Sequence, residues 1–172
     1  MNKFSKVNFL TKLLTNAPII VLFVSVLNEF DFNYLGLKYF SFNFPFILIF
    51  FWSLKKSESL GYGLIFLAGL VNDVVIGFPI GISSFCYLVI CGFAGYLRNI
   101  TLRPSLVKDW FFFGFTILVV NSVIYVVVSL FFHIQIIYVD ILINISFTFL
   151  LYVIFSNLFD YYQRLVFGAV NV

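Results

Sequence analysis

Apolar residues fill the chain in six blocks, each closed by a short polar break. The blocks cover about 13–28, 39–54, 60–76, 80–97, 110–132 and 140–159. The breaks are Asn28-Glu29-Phe30-Asp31, Lys55-Lys56-Ser57-Glu58, Gly77-Phe78-Pro79, Arg98-Asn99, the stretch carrying His133, and Asp160 with Arg164. A helix that crosses a bilayer needs about 20 consecutive apolar residues. The pattern therefore predicts an all-α membrane protein: a six-helix transmembrane bundle occupying 1–172 as one integral-membrane domain.

Composition agrees. Hydrophobic residues make up 63% of the 172 and charged residues only 10%, too few to cover a water-facing surface. The excess of +3 is not a nucleic-acid signal, because the ten Lys and Arg are scattered between apolar runs instead of clustered for a phosphate backbone. Lys3, Lys6 and Lys12 followed by Ala17–Leu27 resemble the start of a signal peptide, but Asn28, Glu29 and Phe30 offer no small-residue cleavage site, so an uncleaved first span is expected.

The basic residues set the orientation. Lys3, Lys6, Lys12, Lys55, Lys56, Arg98, Arg103, Lys108 and Arg164 fall on one side of a six-span chain, and Lys38 alone on the other. Basic loops stay in the cytoplasm, so both termini are expected to be cytoplasmic. Trp52 and Trp110 are expected at the cytoplasmic interface, where indole rings settle.

Asp73 stands out as an ionisable side chain well inside an apolar block. Counted from Gly61 it lies about 18 Å along its helix, and a charge there costs on the order of 2.5–3.5 kcal/mol even on insertion scales. Gly69, Asp73 and Gly77 follow one ridge at i, i+4, i+8, and Asn72 adds a second polar group. Asp73 has two readings. It is a proton, ligand or partner-helix site, or it is a clamp that accepts backbone N–H groups freed near the Gly77–Gly81 break, where the fourth helix starts. The clamp predicts that Asp73→Asn is tolerated and Asp73→Leu is not. Gly81, Ser84, Cys91, Gly92 and Gly95 form a small-residue face on the fourth span, either packing internally against the third span or docking another protein's helix.

Other chemistry is sparse. Cys86 and Cys91, five apart on a helix, point about 140° away from each other and read as core residues. His133 has no second His or Cys nearby to complete a metal set, and Asp160 is placed to pair with Arg164 at i+4. Gly61-Tyr62-Gly63 is not followed by Lys, and no Gly-x-Ser-x-Gly elbow or metal box appears. No enzymatic activity, cofactor or metal is expected.

The stretch Pro45–Arg98 resembles a known family. Pro45 opens a run ending in Trp52. Lys55-Lys56, Gly61 and Gly63 follow, then Gly69-Leu70-x-x-Asp73-x-x-x-Gly77-x-x-x-Gly81, and the stretch closes on Ala94-Gly95-Tyr96-Leu97-Arg98. This is similar to the bacterial rod shape-determining protein MreD family, with Ser83-Ser84 where that family tends to carry a polar residue and Ala. The resemblance implies a non-enzymatic, multi-pass scaffold subunit of the cell-elongation complex in the bacterial cytoplasmic (inner) membrane. It also implies binding to the single helix of MreC and, through it, support for MreB-guided peptidoglycan synthesis by RodA and a class B penicillin-binding protein. Gly69, Asn72, Asp73, Gly77, Gly81, Ser84, Gly92 and Gly95 are the candidate packing or partner-helix contacts.

The family's six helices are also similar to the S-components of energy-coupling-factor transporters. A vitamin-binding subunit of that kind is the alternative expectation. It needs a polar pocket, for which the outer loops offer few groups, and small residues on the first helix, where only Ala17 and Ser25 qualify. A lipid-linked precursor flippase would want intramembrane basic residues, and none is present.

Overall fold

The computed structural model describes residues 16–27, 41–55, 60–101, 105–132 and 138–168. Among the described residues all regular structure is helical: α1 (Ala17–Leu27), α2 (Phe44–Lys55), α3 (Tyr62–Ile76), α4 (Ile82–Ile100), α5 (Leu106–Phe132) and α6 (Tyr138–Gly168). Each of the six expected spans has its helix. Expectations resting on Lys3, Lys6, Lys12, Glu29, Asp31, Lys38, Lys56, Arg103 and His133 lie outside the described residues.

The helix ends differ from the block ends for local reasons. Before α2, residues 41–43 are not helical. Asn43 sits there as the cap, its Oδ1 accepting the Phe46 N–H at 3.3 Å, and Pro45 occupies the first turn, where no N–H is needed. α5 starts at Leu106, four residues before the apolar block, and α6 runs to Gly168, well past Phe159. Polar residues at a block end mark the limit of the apolar run, and a helix continues through them because Asp, Lys, Gln and Arg carry no backbone penalty comparable to Gly or Pro. Among the described residues, α5 and α6 are long and apolar enough to cross a membrane on their own, whereas α1, α2 and α3 are shorter apolar helices.

α2 is the centre of the molecule. Every residue from Phe44 to Leu54 is buried, so its unbroken apolar run has neighbours on all sides: α1, α4 and α6 pack against it. Its Phe50 also meets α5 and α6 through Phe113 and Tyr152, whose rings stack at 4.4 Å between centroids. Trp52 is 2% exposed, with its ring against Phe51, Phe159 and Tyr162. Trp110 is half-buried, and its indole N–H donates to the Phe149 carbonyl at 2.8 Å.

The exterior is apolar. Val74, Ile80 and Phe131 are 70%, 75% and 74% exposed. Polar side chains along the helices turn back on their own backbone. Thr116 donates to Phe112 O, Asn121 to Ile117 O, Ser122 to Leu118 O and Ser146 to Leu142 O, each at 2.8 Å and one turn back. Among the described residues the ion pair is Lys55–Asp109, between α2 and α5, at 3.9 Å. The expected Asp160–Arg164 pair does not form, since one turn of separation brings two long side chains within reach but water and entropy leave little gain in holding them together.

Candidate functional site

α3 and α4 form a tight antiparallel hairpin, and Asp73 organises its turn with both its backbone and its side chain. The Asp73 carbonyl accepts the N–H of Gly77 and, at 2.9 Å, that of Phe78. Those two bonds close α3, and they require the chain to turn left-handed at Gly77, φ 75°. Its carboxylate then starts the next helix. Oδ2 accepts the Gly81 N–H at 2.7 Å and Oδ1 the Ser83 N–H at 2.9 Å.

A helix begins with N–H groups that have no partner in the helix, and a cap side chain normally takes one. The α4 cap is Gly81, φ 107°, which has no side chain. Asp73, from the preceding helix, does that work, and its negative charge also suits the positive end of α4.

Around this clamp the hairpin is closed. Asn72 Nδ2 donates to Ser83 Oγ at 2.9 Å, and Ser84 Oγ donates to the Phe66 carbonyl at 2.9 Å. Gly69 faces Ser84 so closely that a Cβ on it would lie 2.5 Å from the Ser84 nitrogen and 2.8 Å from its Oγ. Asp73 and Ser84 have no exposed surface. The geometry alters one expectation. The carboxylate oxygens serve two separate donors, so Asn in place of Asp73 would keep one bond and turn an NH2 toward the other N–H.

The candidate residues divide in two. Gly69, Asn72, Asp73, Gly77, Gly81 and Ser84 are brought together at the hairpin turn. Gly92 and Gly95 are not. Gly92 is exposed and Gly95 half-buried, and a Cβ on either would meet nothing within 4 Å. Cys91, beside them, is buried where Ser53 Oγ donates to its sulfur at 3.3 Å. Cys86 and Cys91 are both buried and unbridged.

Two features escaped sequence reasoning. Ser83 was visible only as a departure from a family pattern, yet its backbone and side chain each bind one of the two polar residues of α3. Asp109 is 4% exposed beside Lys55. Its position just before Trp110, at the junction of a basic loop and an apolar block, was the available signal. Arg98 Nη1 reaches the Ser53 carbonyl at 3.5 Å, so the ends of α2 and α4 and the start of α5 share one end of the bundle.

No protein-family model, curated protein or solved structure matches this chain.

Proposed function

We propose that this chain is a multi-pass protein of the bacterial cytoplasmic membrane and a non-enzymatic scaffold of the cell-elongation machinery. In this reading it holds the single transmembrane helix of an MreC-like protein. The observation that carries the scaffold is the open glycine pair on α4. Gly92 and Gly95 leave backbone uncovered on the outside of a helix whose exposed neighbours include Phe85 and Tyr96. In lipid, helices associate by close backbone approach at such small residues.

The membrane reading is supported by the apolar exterior, which exceeds what a water-soluble monomer tolerates, and by hydroxyl and amide side chains that satisfy themselves within their own helices. Asp73 argues for architecture over proton transfer, because both its oxygens are engaged by backbone N–H groups. MreB, RodA and a class B penicillin-binding protein follow as indirect partners from the family resemblance alone.

The test is recovery of a tagged chain from native membranes after cross-linking, with partners identified by mass spectrometry. Enrichment of an MreC-like protein and a class B penicillin-binding protein is expected. Enrichment of an ABC-type ATPase with a coupling subunit would overturn the scaffold in favour of a small-molecule binder. Gly92→Leu should abolish recovery while the chain accumulates normally. Unchanged recovery moves the contact away from α4.

A further inference from the structure

Tyr152 of α6 carries a hydroxyl into the middle of the bundle. The residue has no exposed surface. Its ring stacks on Phe113 of α5 and meets Phe50 of α2 edge-on, 5.8 Å between centroids. The phenol oxygen has no hydrogen-bond partner among the described residues. The Ser156 hydroxyl, one turn on, stands beside it without closing a hydrogen bond. Burying a hydroxyl in this way costs stability unless something bonds it.

The surroundings of that oxygen are polar, and their exposure is graded. Tyr152, Ser156 and Asp160 follow one ridge of α6 at i, i+4, i+8, over a length of about 12 Å. Tyr152 is sealed, Ser156 is 3% exposed and Asp160 is half-buried. The charges of Asp109 and Asp160 both act on the Tyr152 phenol, so the ridge and the start of α5 form one cluster. Asp109 lies one turn before Phe113 and keeps 4% of its surface open. Lys55, at the end of α2, stands 3.9 Å from Asp109 Oδ2. That distance is longer than a hydrogen bond, so the contact fills none of the acceptor sites of the carboxylate. A carboxylate with acceptor sites to fill and a phenol with no partner are both served by one ligand, water, which donates to the first and bonds the second.

We propose that α2, α5 and α6 enclose a hydrated inlet that opens beside Lys55 and Asp160 and ends at the Tyr152 hydroxyl, with water bonded to Asp109 and Tyr152. This proposal rests on the membrane reading above, which puts the mouth of the inlet on the cytoplasmic side.

Two measurements on the full-length chain test it. Tyr152→Phe keeps the ring and removes the oxygen alone. In a hydrated inlet it deletes hydrogen bonds to water and should lower the unfolding midpoint in detergent. Around a dry hydroxyl it relieves an unpaired buried group and raises the midpoint. A raised or unchanged midpoint overturns the inlet. The second measurement uses Ser156→Cys in inside-out membrane vesicles treated with a small, charged, membrane-impermeant methanethiosulfonate. The thiols that escape are counted with a maleimide after unfolding. Ser156→Cys should be blocked several-fold faster than the thiols of the unaltered chain, where Cys86 and Cys91 are buried. It should also be faster than Ser146→Cys, which is exposed on the same helix and faces lipid in this reading. A rate for Ser156→Cys no greater than that of the unaltered chain overturns the inlet. Blocking from right-side-out vesicles alone overturns the cytoplasmic mouth. Release of the chain from carbonate-washed membranes would overturn the membrane reading itself, and Tyr152→Phe still decides the inlet in that case.

Discussion

Ser84 and Gly92 stand about two turns apart on α4 and are both small, yet the molecule treats them in opposite ways. At Ser84 the helix is sealed. Gly69 of α3 leaves no room for a methyl group, and the serine hydroxyl is spent on the Phe66 carbonyl. At Gly92 the helix is bare, and the same holds at Gly95. Small residues serve one purpose, close backbone approach, but the approaching backbone is supplied by α3 near the turn and by none of the described residues toward the other end. The first use is structural and closes the hairpin. The second leaves helix surface that none of the described residues covers.

The sharpest way to probe the closed half is Asp73→Leu. It strands the N–H groups of Gly81 and Ser83, at about 1–3 kcal/mol for each buried donor left unpaired. Together these losses should strongly depress both the unfolding midpoint in detergent and the level of chain in the membrane. Gly69→Leu should follow. Overpacking costs about 1–3 kcal/mol, and more where the obstacle is backbone, as it is at Ser84. Asp73→Asn should fall between these and the unaltered chain, losing one of two bonds, and chemical denaturation would resolve it from Asp73→Leu. If the two substitutions prove equal, the separate roles of the two oxygens are wrong.

The open half should respond least. Gly92→Leu should cost no stability and gain up to about 1 kcal/mol, because no described atom stands in its way and glycine inside a helix is unfavourable by about that much. A loss as large as that of Gly69→Leu would abolish the comparison, because it would mean that Gly92 is packed after all. A normal unfolding midpoint with lost partner recovery would sharpen it into a division of labour along one helix.

The role of Asp73 was legible in local spacing. A lone carboxylate inside an apolar block, beside a break with glycines, has backbone N–H groups as its nearest donors. Which donors it takes was not legible, because Gly81 and Ser83 are selected by the path of the turn. Asp109 was harder to see. Its partner Lys55 lies 54 positions away in sequence, and no local pattern relates them. The burial of Trp52 was not legible for a similar reason. Its place at the end of an apolar block says nothing of what covers the ring, and α6, distant in sequence, brings Phe159 and Tyr162 over it.

The sequence by itself determined that six apolar segments become helices, that a tight turn joins the third to the fourth, and that the carboxylate at position 73 must find hydrogen-bond donors. These outcomes depend on residues within a few turns of one another, where backbone geometry and the cost of a buried charge leave few alternatives. Only the tertiary structure decided which small residues are covered. On an ideal helix Gly95 lies about 20° around from Ser84, in the same stripe, yet one is sealed and the other is not. Periodicity gives the direction in which a residue faces. Whether anything stands there depends on how neighbouring helices diverge, and that is set by side chains distant in sequence.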